Sequence, residues 1–192
     1  MKVLALEGSP RRGGNSSLLL KWVLEGVEEG GGEVSLLRVP DLDIAPCTGC
    51  DGCIHTGECV IRDDMDRVME MVLASHHLIV ATPVYFYHVP AQLKALIDRF
   101  QPLWVREALL GKPPDKRGNL VLVACGATRG EDLFQCILAT LKHLSRYLGL
   151  EMAPFHLLVR GVDGAGEVLE IEGLRERSRN VGKSIMDILK GE

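Results

Sequence analysis

Four cysteines lie close together in the first third of the chain, with the spacing Cys47-x2-Cys50-x2-Cys53-x5-Cys59. Thiolates at this density usually hold a metal centre, and short spacers allow one irregular loop to turn them toward a single point. Closed zinc sites use similar sets, usually as two CxxC pairs separated by a longer insert. Because three of these cysteines share one spacing, the run favours an iron–sulfur cluster over zinc.

A second group of residues suited to chemistry follows the first apolar run. Residues 8–17 read GSPRRGGNSS, which is neither a Walker A loop nor a GxGxxG fingerprint. The glycines allow backbone N–H groups to approach a ligand, and the hydroxyl, amide and guanidinium side chains donate hydrogen bonds. The segment therefore predicts an anion-binding loop. The alternative is a polar turn whose side chains only cap a helix.

A third segment, residues 82–90, carries three aromatic residues and reads TPVYFYHVP. A loop of this composition at the end of a strand can cover the flat face of a ring system. The alternative is that the three aromatic side chains only pack in the interior. The pattern favours a ring-binding loop. His88 by itself is better explained as a structural residue than as a catalytic one.

The elements that position these segments follow from the apolar pattern. Continuous apolar runs predict five strands buried in a parallel sheet, and they read KVLALEG, EVSLLRV, HLIVATP, NLVLVACG and PFHLLVRG. Apolar residues at helical spacing occur between the strands, and the last helix is predicted from about Gly166 to Leu189. Strict alternation of strand and helix predicts a doubly wound α/β fold with the flavodoxin-like strand order 2-1-3-4-5.

This strand order predicts where the three segments lie. The carboxyl ends of parallel strands share one edge, and ligands bind between strands 1 and 3, where the order reverses. The anion loop and the aromatic loop should meet there. The cysteine-rich loop, at about residues 45–62, is an insertion after strand 2 and should leave the same edge. We expect residues 1–192 to form a single domain.

Composition narrows the possible functions. The chain has 192 residues, a net charge of −4 and 46% hydrophobic residues. Acidic and basic residues are interspersed, which argues against nucleic acid and anionic membranes as partners. We find no apolar stretch near the roughly 18–20 residues of a spanning helix, and no signal-peptide pattern at the start. We therefore expect a cytoplasmic protein with reduced thiols.

The three segments resemble those of the flavodoxin-like NADPH-dependent FMN reductase superfamily, and more narrowly its iron–sulfur flavoprotein branch. The motifs that carry the resemblance are GSPRRGGNSS, PCTGCDGCIHTGECVIRDDM and TPVYFYHVPAQLKALIDR. The resemblance extends in motif detail from residue 1 to about residue 99, and in architecture to the end of the chain. It implies a flavin-dependent oxidoreductase.

The resemblance also implies roles for individual residues. The FMN phosphate would be held by Ser9, Arg11, Asn15, Ser16 and Ser17. The isoalloxazine ring would be lined by Pro83, Val84, Tyr85 and Phe86, with further contacts from Gly126 and Ala127. One [4Fe-4S] cluster would be bound by Cys47, Cys50, Cys53 and Cys59. We assign no side chain as a catalytic acid or base, because the cofactors carry the chemistry.

The preferred interpretation is a protein in which FMN and a [4Fe-4S] cluster connect a one-electron carrier to a two-electron donor or acceptor. The candidate partners are ferredoxin, a quinone or NAD(P)H, and a homodimer or homotetramer is expected from the resemblance. The main alternative is a cluster-free NAD(P)H-dependent FMN or quinone reductase whose cysteines are free or bind zinc. A zinc-stabilised binding module with a vestigial flavin pocket is a third alternative.

Overall fold

The computed structural model describes residues 1–188, which form a parallel sheet between two layers of helices. The strands are β1 (Lys2–Glu7), β2 (Glu33–Arg38), β3 (His77–Pro83), β4 (Gly118–Gly126), β5 (Leu150–Met152) and β6 (Leu157–Arg160). The α-helices are α1 (Asn15–Glu29), α2 (Met65–Ala74), α3 (Ala91–Asp98), α4 (Gln101–Ala108), α5 (Gln135–Tyr147) and α6 (Leu174–Asp187). The strand order β2-β1-β3-β4-β5 confirms the predicted order.

The sheet edge beside β4 differs from the prediction, because two short strands occupy the place of one. β5 pairs with the first residues of β4, and β6 pairs with its last residues. The predicted fifth strand corresponds to β6, so the sheet has six strands among the described residues. Pro154 lies between β5 and β6 and lacks the N–H that a continuous ladder needs. At this break the backbone N–H of Leu122 donates to Nδ1 of His156 at 3.2 Å.

Alternate residues of the central strands face two separate cores, as expected for strands buried on both faces. One core joins the sheet to α2, α3, α4 and α5, and it includes Leu4 and Leu78. The other joins the sheet to α1 and α6, and it includes Val3 and Ile79. The apolar runs of the sequence therefore account for both helical layers.

Helices α1 and α6 cross at glycines, and this crossing fixes the position of α1. A Cβ atom added to Gly26 would lie 2.0 Å from the carbonyl oxygen of Arg179, and one added to Gly182 would lie 2.0 Å from that of Val23. Backbone therefore contacts backbone, which leaves no room for a side chain at either glycine. An ion pair between Glu29 and Arg179 lies beside the crossing.

The helical region after β3 is divided into two. α3 ends at Asp98, and α4 begins at Gln101 with Pro102 in its first turn, where its missing N–H does no harm. The sequence pattern predicted α3 but not the separate α4. None of the helices within residues 1–188 combines the length and the apolar character needed to cross a membrane.

The last helix is shorter than predicted. Glu167–Glu170 form a 3₁₀ turn, and the α-helix begins only at Leu174. Gly173, with a φ of 70°, separates the two segments, because a left-handed residue interrupts the helical path. The predicted end at Leu189 lies outside the described residues.

Candidate functional site

The first site lies at the carboxyl edge of the sheet, where the loops after β1, β3, β4 and β6 surround a cavity of about 160 Å³. Nine of the eleven residues predicted for the flavin line it: Ser9, Arg11, Asn15, Ser16, Pro83, Val84, Tyr85, Gly126 and Ala127. Ser17 and Phe86 do not. Gly14, Cys125, Val162 and Asp163 also line the cavity.

The N-terminus of α1 opens into this cavity. Among the described residues no side chain caps this helix, which begins at Asn15 after Gly14. A helix N-terminus carries a partial positive charge and N–H groups without helical partners, so it can bind a phosphate. The Ser16 hydroxyl is buried and has no hydrogen-bond partner within residues 1–188. Phosphate oxygens would supply that partner, so these features fit the phosphate end of FMN.

The side chain of Asn15 binds the loop after β6. Its Nδ2 donates to the carbonyl of Gly164 at 2.8 Å, and its Oδ1 accepts from the N–H of Gly166 at 2.9 Å. Nη1 of Arg11 donates to the carbonyl of Asp163 at 3.4 Å. The last loop is thus held against the anion loop. The sequence pattern gave this loop no predicted role, although a glycine-rich run after β6 must leave the same edge.

Two charged residues stabilise the anion loop from the side of the sheet. Nη2 of Arg38 donates to the carbonyls of Ser9 at 2.9 Å and Pro10 at 3.1 Å. Its Nε lies 3.7 Å from the buried carboxylate of Glu7. Ser17 donates its hydroxyl to the same carboxylate, so it is turned toward the protein rather than toward the cavity. These contacts fix the loop without a ligand.

The aromatic loop forms a tight turn at the rim of the cavity. The N–H groups of Tyr85 and His88 donate to each other's carbonyls at 2.8 and 2.9 Å. Between them, Phe86 and Tyr87 have φ angles of 48° and 62°, which are costly for bulky side chains. Tyr85 lines the cavity, whereas Phe86 is fully exposed and Tyr87 is also exposed. The three rings are therefore not interior packing.

The cavity wall beside β4 is apolar and chemically inert. A Cβ atom on Gly126 would lie 3.1 Å from Cβ of Val84, so this glycine allows the loops after β3 and β4 to approach each other. Burial raises the pKa of the Cys125 thiol to about 12, which keeps it protonated at neutral pH. Because this wall offers no reactive side chain, it fits a bound ring system whose own atoms carry the chemistry.

The second site is the irregular loop between β2 and α2. All four cysteines line a separate cavity of about 370 Å³, namely Cys47, Cys50, Cys53 and Cys59. The first two are exposed and the other two are half-buried. Within residues 1–188, no three His, Cys, Asp or Glu side chains form a metal-binding group in this conformation. The chain thus brings the thiols to one cavity without arranging them as ligands.

Backbone turns direct the cysteines toward that cavity. Gly49 in the first spacer and Asp51 in the second have φ angles of 64° and 58°. Glycine adopts this left-handed conformation freely and aspartate tolerates it, so both spacers can bend. The N–H of Gly57 then donates to the carbonyl of Cys53 at 2.8 Å, which closes the longer spacer.

The thiols also influence one another electrostatically. Burial raises the pKa of Cys53, and the three other thiols raise it further because like charges repel. The N–H of Gly52 and the side chain of Thr48 donate to Cys50 and lower its pKa. Four sulfur donors that line one cavity fit a metal centre, since a bound cation stabilises thiolates.

A buried ion pair holds the two ends of the cysteine loop together. The guanidinium of Arg99 donates to both carboxylate oxygens of Asp63, at 2.6 and 3.0 Å. It also donates to the carbonyls of Ala45 at 2.8 Å and Ile61 at 3.2 Å, which lie before and after the cysteines. Burial tends to raise the pKa of Asp63, but the bonds from Arg99 and from two backbone N–H groups lower it.

Helix α3 connects the two sites. It begins directly after the aromatic turn, and its last residue, Asp98, lines the cysteine cavity. A helix of eight residues is about 12 Å long. The two cavities share no lining residue, and α3 lies along the chain between the aromatic turn and the cysteine cavity.

Comparison with known sequences identifies relatives. Residues 1–154 match the profile of the family described as NADPH-dependent FMN reductase. An iron–sulfur flavoprotein of Archaeoglobus fulgidus is 40% identical over 133 residues, which are 69% of this chain and 59% of that protein. An iron–sulfur flavoprotein of Methanocaldococcus jannaschii is 33% identical and covers 99% of this chain and 98% of that protein. These matches confirm the resemblance of the three motifs.

A solved structure supports the fold. The NAD(P)H:quinone oxidoreductase from Methanothermobacter marburgensis superposes with a TM-score of 0.73, over 96% of this chain and 95% of that chain. The two sequences are 21% identical, so the likeness shows the flavodoxin-like fold alone.

Proposed function

The chain belongs to the NADPH-dependent FMN reductase family, in its iron–sulfur flavoprotein branch, and on this premise we propose that it couples FMN to a [4Fe-4S] cluster. Family membership makes it an oxidoreductase with a flavin redox function. The observation that carries the finer proposal is the pair of cavities. One is lined by nine residues predicted for FMN, and the other by all four cysteines.

The chain's own residues would bind and orient the flavin. The phosphate would contact the N-terminus of α1, the unpartnered hydroxyl of Ser16 and the side chain of Arg11. Ser9 and Asn15 would act mainly by holding the loops in place, since both already bond to backbone groups. The ring would contact Tyr85 and the apolar wall beside it.

Four thiolates would hold the cluster, namely Cys47, Cys50, Cys53 and Cys59. FMN supplies two-electron chemistry when bound, and a [4Fe-4S] cluster exchanges single electrons. The chain separates the two sites with α3, and the Cys125 thiol in the flavin cavity stays protonated because burial raises its pKa to about 12.

A cluster-free NAD(P)H-dependent FMN or quinone reductase is the second candidate. The observation that favours it is that the four thiols do not form a metal-binding group within the described residues. In that case the cysteines are free or bind zinc, and the flavin cavity alone carries the function.

Anaerobic purification followed by quantification of iron, sulfide and FMN per chain tests the proposal. We expect one FMN with about four irons and four sulfides. If the protein contains flavin but no iron or sulfide, even after attempted reconstitution of the cluster, the result would support the cluster-free reductase. Zinc in the cysteine loop would lead to the same conclusion.

The electron partner and the assembly stay predictions. We propose a small redox carrier, namely ferredoxin, a quinone or NAD(P)H, and a homodimer or homotetramer. Stopped-flow reduction by each carrier and light scattering would test these two proposals separately.

A further inference from the structure

The guanidinium of Arg99 uses four of its five N–H groups in hydrogen bonds to residues within the described range. Its side chain is 1% exposed, and Nη1 and Nη2 donate four hydrogen bonds to Asp63, Ala45 and Ile61. The fifth N–H, at Nε, is buried and has no partner within the described part of the chain. A buried donor without an acceptor is unfavourable, so this position calls for one.

Cys59 lies beside that guanidinium. Both residues line the cysteine cavity and also a neighbouring cavity of about 420 Å³. Burial tends to lower the pKa of Arg99, but the hydrogen bonds to Asp63 and then the charge of Cys59 raise it above its usual value. A predicted cluster ligand therefore adjoins the one buried cation that fixes both ends of its loop.

We propose that Arg99 is a positioning residue of the cysteine centre, which holds the ends of the loop and keeps its Nε–H for the Cys59 sulfur. The inference rests on the proposed function, since the sulfur is a strong acceptor only as a cluster-bound thiolate. A hydrogen bond to a ligating sulfur withdraws electron density from the cluster and raises its reduction potential. Lysine would keep the charge but lose the planar fork and the Nε–H.

Three variants separate this role from a merely structural one. Arg99→Lys removes the Nε–H and the fork, whereas Asp63→Asn keeps Arg99 and weakens the closure of the loop. Arg106→Lys is the matched control, because Nε of Arg106 donates to the carbonyl of Gly57 in the same loop, at 2.8 Å, and not to a sulfur. Each holoprotein would be measured for the midpoint potential of its cluster and for the rate of iron release to a chelator.

We expect Arg99→Lys to shift the potential to a more negative value and to release iron about 10-fold faster. Asp63→Asn should release iron faster without a negative shift, because it removes a negative charge and keeps the sulfur contact. Arg106→Lys should keep the wild-type potential. A wild-type potential for Arg99→Lys, or the same negative shift for Asp63→Asn, would overturn the proposal.

A measurement on the wild type keeps the test decisive if Arg99→Lys does not fold. Pulsed electron paramagnetic resonance of the reduced cluster, in protein grown with ¹⁵N-arginine, should show a ¹⁵N coupling that a ¹⁵N-lysine sample lacks. A wild type with four irons and no arginine coupling would remove only this inference. A wild type that retains no iron after reconstitution would remove the proposed function itself.

Discussion

The flavin edge and the cysteine loop are both built on segments that follow strands, but they are stabilised in different ways. At the flavin edge, Asn15 and Arg38 link neighbouring loops through hydrogen bonds of 2.8 to 3.1 Å. The cysteine loop is fixed mainly at its ends by Arg99. Its thiols line a cavity, yet they form no metal-binding group within residues 1–188.

This difference separates a site whose loops are already bonded to one another from one that the proposed metal centre would organise. Metal–thiolate bonds can supply much of the free energy that organises such a loop. The flavin edge instead uses buried charges and backbone carbonyls that are already paired. We therefore expect ligand removal to affect the two regions independently, with a larger structural change in the cysteine loop.

The largest expected effect is on iron, and it tests whether the regions are independent. Cys50→Ser should abolish cluster assembly, because Cys50 lines the cysteine cavity and is one of only four sulfur donors there. FMN binding should be unchanged. Iron and FMN per chain, measured after anaerobic reconstitution, would show both. The exposed Cys136, replaced by Ser, is the matched control and should retain both cofactors. Loss of FMN in Cys50→Ser would break the comparison.

The next prediction disturbs the flavin edge by changing the packing of α1 against α6. Gly182→Ala places a Cβ 2.0 Å from the carbonyl oxygen of Val23, so α1 and α6 must separate. We expect a loss of about 3 kcal/mol in the free energy of unfolding, together with weaker FMN binding because the N-terminus of α1 moves. Iron retention should change less.

A glycine in the same helix pair provides the control. An added Cβ at Gly30 would meet Cγ and Cβ of Met186 at 2.8 and 3.0 Å and no backbone atom closer than 3.4 Å, so the overlap is smaller than at Gly182. Gly30→Ala should therefore destabilise the protein less than Gly182→Ala, in urea unfolding of the apoprotein. Equal losses would show that the backbone contact of α1 with α6 is not what makes Gly182→Ala destabilising.

The sequence predicted the sheet well, because its strands are long apolar runs whose pattern does not depend on distant contacts. It missed β5, which has only three residues and is separated from β6 by Pro154. Burial of the strands on both faces was also predictable from the continuous apolar runs. The close crossing at Gly26 and Gly182 was not, since these glycines look like ordinary interruptions of helical periodicity.

Most of the residues predicted for the two sites line the two cavities, but the orientation of their side chains was not predicted. Polar residues in the anion loop indicated phosphate binding, yet the side chains of Asn15 and Ser17 bond to protein groups instead. Arg99 and Asp63 are 36 positions apart, and only the fold brings them together. Arg38 likewise reaches Ser9 across 29 positions. Such pairings depend on the three-dimensional arrangement, which local sequence patterns do not contain.

Two adjacent serines sharpen the comparison at the flavin edge. The hydroxyl of Ser16 has no partner within the described residues, so Ser16→Ala should leave the stability of the apoprotein nearly unchanged. It should weaken FMN binding by about 2 kcal/mol if the hydroxyl binds the phosphate. Ser17→Ala should do the reverse, because Ser17 donates to Glu7. Flavin titration and urea unfolding would distinguish them, and equal effects of both variants would contradict this division.

The smallest effect concerns a residue far from both regions. His77 is fully buried at the start of β3, and Nδ1 accepts the N–H of Asn119 at 3.2 Å. Burial, together with the charge of His76, lowers the pKa of His77 to about 4. As the pH falls, His77 therefore binds a proton in the unfolded chain before it does so in the folded chain. The contribution of neutral, buried His77 to the free energy of unfolding is complete above about pH 6.5 and is lost as the pH falls toward 4.

Between about pH 7 and pH 5.5 this linkage should remove about 1 kcal/mol from the free energy of unfolding. His77→Asn keeps an acceptor for Asn119 but does not titrate, so its apoprotein should lose less stability over the same interval. Urea unfolding of both apoproteins at the two pH values measures the difference. His77 contacts neither cavity, so the variant should leave flavin affinity and iron content unchanged. An identical pH dependence in the variant would mean that His77 is not the group whose protonation destabilises the sheet.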